Sequence, residues 1–200
     1  MKRWPLIPTT IVALAVAAMI GLGLWQLLDR RPKKLAYLAQ LQANPTKPPI
    51  AFPRLPDDAL LFRRASGLCV EPTSTRVEGA GKLGFRVLAE CRTGGLEGPG
   101  MLVQLGTTRD PNARVAWRGG EVAGHIAYAP SATSVLGSLF NRTPASLMLV
   151  SDRPLAGLQP NPPADVSAIS NPHLSYAFQW FFFAAAAAVI YVLALRRRVR

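Results

Sequence analysis

Few side chains in this sequence are equipped for chemistry. There are two histidines (His125 and His173), two cysteines, four methionines and eleven carboxylates, scattered singly but for Asp57-Asp58. Twenty-one residues separate Cys69 from Cys91, so they form neither a C-x-x-C dithiol nor a short copper-transfer pair. No Met-x-x-Met or histidine-rich tract offers copper(I) ligands. No G-x-S-x-G elbow, H-E-x-x-H helix or phosphate loop is present, so nothing points to an enzyme. His125 reads as a partly exposed sheet histidine sharing a strand face with Glu121, without ligand partners nearby. His173 differs: it stands one residue before a long apolar run.

That run is one of two. Residues 6–28 and 174–195 contain no charge, while the middle, 29–173, holds all eleven carboxylates and seventeen of the twenty-three Lys and Arg. Each run rises roughly 33–35 Å as a helix, enough to cross a ~30 Å hydrocarbon layer. Lys2, Arg3 and the small-residue stretch Ala15-Val16-Ala17 resemble a signal peptide, but the apolar stretch continues to Leu28, beyond a 7–15-residue h-region. The expectation is an uncleaved transmembrane helix at each end. Flanking charges conflict: Arg30, Arg31, Lys33 and Lys34 follow the first helix, and Arg196, Arg197, Arg198 and Arg200 follow the second. Positive charge in long loops weighs little on orientation, so the second helix decides. Both tails are expected in the cytoplasm and the middle in the periplasm. The tails carry six of the twelve net positive charges, which reads as positive-inside anchoring and attraction to membrane lipid. No basic stripe with interleaved aromatics suggests nucleic acid.

Those helices bring candidate ligands to one depth. On a helix starting at His173, Tyr176, Ala177 and Trp180 share its face. The first helix ends in Gly23-Leu24-Trp25-Gln26, with Arg30 and Arg31 just beyond. If the helices pair, the result is an apolar cleft with aromatic walls, an imidazole, an amide and two cations at the membrane's outer edge. Such a cleft suits an amphiphilic iron cofactor bearing carboxylates, namely haem. The expected roles are His173 as axial iron ligand, Tyr176, Trp180 and Trp25 packing on the porphyrin, Gln26 bonding a ring substituent, and Arg30 or Arg31 pairing with propionates. The same residues would serve equally as an interfacial belt anchoring the helix ends.

Between the helices the chain changes character. Residues 33–42 have helical spacing, and Pro32 suggests a kink or break before them. Five prolines in residues 44–56 make an extended connector. Strands are expected at 60–70, 84–91, 100–105, 121–128 and 147–150, with a short helix at 135–140. In 84–91, Phe85, Val87, Ala89 and Cys91 alternate against Arg86, Leu88 and Glu90. Gly94-Gly95, Gly98-Pro99, Asp110-Pro111 and Gly119-Gly120 supply the turns. The fold class is an α+β membrane protein: two terminal transmembrane helices flanking a small antiparallel, barrel-like extramembrane β domain. The segments are a tail at 1–5, a helix at 6–28, a connector at 29–56, the β domain at 57–160, a second connector at 161–173, a helix at 174–195 and a tail at 196–200. In an oxidising compartment Cys69 and Cys91 either bridge adjacent antiparallel strands or remain two small buried hydrophobes.

The two ends together resemble the Surfeit locus protein 1 family. Its G-x-W-Q-x-x-R signature reads here Gly23-Leu24-Trp25-Gln26-Leu27-Leu28-Asp29, with Arg30 one step late. Its N-N-H-L-x-Y-x-x-T-W-F signature reads Asn171-Pro172-His173-Leu174-Ser175-Tyr176-Ala177-Phe178-Gln179-Trp180-Phe181. A middle motif, L-V-N-R-G-W-V-P, is matched by Leu102-Val103-Gln104-Leu105-Gly106. The resemblance implies a non-enzymatic assembly factor for haem-copper cytochrome c oxidase. It would bind or present haem a to oxidase subunit one, with haem a synthase as a further partner and His173 as the haem ligand. A haem-independent scaffold for an oxidase subunit, or a membrane-tethered periplasmic enzyme, are the alternatives.

Overall fold

The computed structural model describes residues 5–94, 100–130 and 145–199; the short helix expected at 135–140 lies outside them. The chain divides into two compact units, one made of the chain ends up to Leu38 and from Ser167, the other of Ala39–Val166.

In the first unit, helix α1 spans Leu6–Trp25. Pro8 falls in its first turn, where a missing N–H loses no helical bond. After Trp25 the helix widens into a π-helical turn, Gln26–Arg30, closed by the Arg31 N–H donating to the Gln26 carbonyl. Helix α2, Arg31–Ala43, follows directly. The interruption expected at Pro32 is therefore a widened turn and not a break. Pro32 cannot donate to the carbonyl four residues back, and its ring crowds that carbonyl. Helix α3 spans His173–Val199. It runs antiparallel to α1, since Thr9 meets Tyr191 near one end and Gln26 meets His173 at the other. Two helices, Leu6–Thr46 and His173–Arg197, are long and apolar enough to cross a membrane.

In the second unit seven strands form one sheet in the order β1-β2-β6-β7-β5-β4-β3. They are β1 Ile50–Ala51, β2 Arg64–Cys69, β3 Glu71–Gly79, β4 Phe85–Arg92, β5 Gly100–Thr108, β6 Gly120–Tyr128 and β7 Leu147–Ser151. The expectation of an antiparallel, barrel-like sheet is corrected: β1 pairs with β2 and β5 with β7 in parallel, and the sheet is open. Short strands with turn signals between them suggest a run of hairpins. Here β7 instead enters between β5 and β6, and local turn chemistry carries no information about that insertion. Strand β3 went unanticipated. Its sequence, EPTSTRVEG, is polar and contains Pro72 at a register shift, as suits the sheet's outer position.

The alternation read in residues 121–128 holds, with Val122, Gly124 and Ile126 buried. At Gly124 a Cβ would lie 1.9 Å from the Val150 carbonyl oxygen, so only glycine lets β6 and β7 approach. In β4 the alternation fails at Leu88, which is fully buried. It joins Met148 and Val150 in a cluster on which Leu102, Ala127 and Ala129 pack, so this part of the sheet is covered on both faces. Cys69 and Cys91 form a disulfide with Cα atoms 5.2 Å apart. The cysteines do not lie on paired strands as expected. The chain bends between β2 and β3, and there the Val70 N–H donates to the Arg92 carbonyl at 2.9 Å. The disulfide fastens that bend to β4. Asparagine amides lock the connections: the buried Asn44 Nδ2 donates to the Ala59 and Leu61 carbonyls. Asn161 Nδ2 donates to the Ser151 and Gln104 carbonyls while its Oδ1 accepts from Gln104 Nε2 at 2.8 Å.

Candidate functional site

The site lies in the helix unit, where small residues permit close approach. Gly23 is buried, and a Cβ there would sit 2.5 Å from Phe181 Cε1. On α3, Ala177 and Ala184 are also buried. Small residues at a helix seam let backbones come close enough for side chains to bond across it. Among the described residues two polar links do so. Thr9 Oγ1 donates to the Pro5 carbonyl at 2.8 Å and accepts from the Tyr191 hydroxyl at 2.6 Å. At the opposite end, Gln26 Oε1 lies 2.8 Å from His173 Nδ1.

Among the residues singled out from sequence, His173 and Gln26 are thus joined directly. Gln26 binds the imidazole, where a contact to a cofactor substituent was expected. Trp25 is exposed, and the Arg30 guanidinium stands over its ring, 4.7 Å from the centroid. Arg31 opens α2 and is half-buried. On α3, Ala177, four residues after His173, points inward at 1 % exposure, whereas Tyr176 is 48 % exposed. Trp180 is half-buried and meets Phe183 edge to face, with centroids 6.4 Å apart. The partner of Gly23, Phe181, was not foreseen; small residues in both α1 and α3 were the available signal.

The π-helical turn explains the displaced arginine of the first motif. In the G-x-W-Q-x-x-R pattern the arginine follows the tryptophan by four residues, one α-helical turn. Here Arg30 follows Trp25 by five, and Asp29 takes the intervening place. A π turn bonds i to i+5 and so brings an i, i+5 pair together as an α turn brings i, i+4. The extra residue is absorbed in the turn, and the cation returns to the tryptophan. Asp29 is engaged by Lys33 Nζ at 2.5 Å.

Among the described residues, no group of three or more His, Cys, Asp or Glu could hold a bare metal ion. His173 is a single donor, which suits a metal already chelated by a macrocycle and needing an axial ligand. Asn171, two residues earlier, has a shielded Oδ1 with no hydrogen-bond partner among the described residues. The other histidine, His125, is in the sheet unit, 3.8 Å from Asp152 Oδ1. Burial pushes its pKa down, partly opposed by the Asp152 carboxylate.

A comparison with curated protein sequences gives no match. The sequence profile of the SURF1 family matches residues 13–185, from the middle of α1 to the middle of α3 and through the whole sheet. The chain belongs to the SURF1 family, whose members are associated with cytochrome oxidase assembly.

Proposed function

We propose that this protein holds haem a at the membrane's outer edge during biogenesis of cytochrome c oxidase and presents it to subunit one. The carrying observation is the cross-helix pair of His173 and Gln26, flanked by Trp25 and Arg30. SURF1 proteins are assembly factors, not known enzymes, and holding an insoluble cofactor requires no reaction. The donor set fits haem. One imidazole can serve as an axial ligand, Trp25 and Trp180 offer aromatic surface, and Arg30 and Arg31 offer guanidinium groups for propionates. The unpaired Asn171 acceptor suits a ligand that brings a hydroxyl, as haem a does on its isoprenoid arm. Bound there, haem would supply only an iron seeking a ligand; the chain binds it, orients it and shelters it from water.

In this reading α1 and α3 cross the cell membrane with both tails cytoplasmic, and the sheet unit is periplasmic. The Cys69–Cys91 disulfide supports that side, since such bonds persist in oxidising compartments. Haem a synthase would be the source of the cofactor by chemistry, and oxidase subunit one its destination.

The test is His173→Ala in the full chain, purified from cells that make haem a. Removing the ligand leaves both apolar helices intact, so the variant inserts and accumulates but loses the haem spectrum, and oxidase activity in its host falls. A wild-type spectrum and haem stoichiometry in His173→Ala would overturn the ligand assignment in favour of a haem-independent scaffold.

A further inference from the structure

We propose that Gln26 is a positioning residue that fixes the tautomer of His173. Its amide oxygen holds the proton on Nδ1 and leaves the Nε2 lone pair free for a metal. The inference rests on the haem reading for its purpose, but not for its geometry.

The contact is Gln26 Oε1 to His173 Nδ1 at 2.8 Å. An amide oxygen can only accept a hydrogen bond, so Nδ1 must carry the hydrogen. A neutral imidazole has one N–H, and the remaining lone pair is then on Nε2. Free imidazole side chains favour the opposite tautomer, with the hydrogen on Nε2 and no lone pair there to give. An unassisted His173 would have to change tautomer at each binding event. Metal-binding histidines generally donate their second ring N–H to a fixed acceptor, which sets ring orientation and raises basicity. Here that acceptor comes from a different helix, so the ring is oriented only when α1 and α3 are paired.

The local structure places Gln26 for this task. It is the first residue of the π-helical turn, three residues after Gly23, which faces Phe181 of α3. His173 is the first residue of α3, so no preceding helical turn covers its ring. A long amide side chain from the seam can therefore reach it. The same π turn puts Arg30 over Trp25, so one widened turn sets both the acceptor for the ligand and the cation on the adjacent tryptophan.

The proposal has a readout independent of haem. In the full-length apoprotein in lipid nanodiscs, with 15N-labelled histidine, the His173 resonances should show a protonated Nδ1 and an unprotonated Nε2. Gln26→Leu should move the ring toward the Nε2–H form. An Nε2–H ring in the wild type would overturn the proposal, whatever the haem experiments show. With haem a loaded, Gln26→Leu should lower affinity by about 10–100-fold. Gln26→Glu, which keeps an acceptor and strengthens it, should restore binding and shift the haem reduction potential to more negative values. Where His173→Ala loses the haem, equal affinity and potential in wild type and Gln26→Leu would also overturn it. If His173→Ala retains the haem spectrum while the tautomer result stands, the haem reading fails and the positioning role of Gln26 survives.

Discussion

In the sheet unit, burial is extensive and redundant: Leu61, Val87, Leu88, Val103, Leu105, Ile126 and Leu149 are all at or below 1 % exposure. A disulfide and two fully engaged asparagines are added to that core. In the helix unit the large apolar side chains lie outward. Ile7, Phe178, Phe182 and Ile190 are all exposed, while the buried positions among the described residues are Gly23, Ala177 and Ala184. The seam depends on small residues and two polar links, Thr9 to Tyr191 and Gln26 to His173. In the proposed topology water surrounds the sheet, so apolar burial can stabilise it. Lipid is as apolar as leucine, so a helix pair within it relies on close packing and directed bonds. A polar group at such a seam has few alternative partners, and that makes it a dependable place to orient an imidazole. The sheet gains stability and the helix pair gains geometry.

That contrast predicts that each unit can be damaged without the other. The largest effect falls on the sheet. Replacing both cysteines by serine opens a loop with a sequence separation of 22. By chain-entropy reasoning this costs about 3 kcal/mol. Denaturant unfolding of the full chain, followed by a probe in the sheet, should show the loss, while the haem spectrum of the folded protein stays unchanged. Two free thiols in the unreduced wild-type protein would remove the bond from the account altogether. A haem spectrum that vanished with the disulfide would show that the two units are not independent.

A smaller effect is expected from Gly23→Leu, aimed at the seam. The Phe181 ring atoms would lie 2.5–2.9 Å from an added Cβ, so the ring must turn or the helices must part. Overpacking of this kind costs about 1–3 kcal/mol. Haem retention and the His173 tautomer signature should weaken together, because both need α1 beside α3. The sheet's unfolding midpoint should not move. Retention of both signatures would mean that the helices pair without close contact at Gly23.

How much of this was legible in the sequence follows the same division. The helices and their polar residues were readable because an uncharged run of that length has few alternatives in water. His173 and Gln26 fell at one depth by simple counting along the helices. Their direct bond was not readable, since it depends on the rotation of α1, and the π turn that sets that rotation leaves no mark beyond Pro32 and the late arginine. In the sheet, β6 was legible because one face is wet and its residues alternate. Strand β4 was only partly so, because Leu88 is covered on the face expected to be exposed. Strand β3 is polar and peripheral, with no apolar alternation to mark it. The order of strands, with β7 between β5 and β6, is set by long-range pairing that no local pattern encodes.

The smallest predicted effect distinguishes the two histidines. His125 is mostly enclosed, opposite Arg64 and Val150 in the β6 pairings, with Glu121 on its own strand face and Asp152 3.8 Å away. Desolvation lowers its folded pKa, and the Asp152 carboxylate only partly opposes this. Its unfolded pKa is ordinary, about 6.5. Between the two values the unfolded chain binds more protons than the folded one, so stability rises with pH through that window. The sheet should therefore be most stable, as far as His125 is concerned, above about pH 6.5, lose stability as the pH falls below that, and level off once the folded ring also protonates. His125→Gln removes the titration and should flatten this part of the profile, measured as the unfolding midpoint against pH in the full chain. Asp152→Asn removes the opposing charge, lowers the folded pKa further and should widen the window in which stability falls. An unchanged profile in His125→Gln would assign the slope to other groups. Neither substitution should alter the haem spectrum, because His125 belongs to the sheet and His173 to the seam.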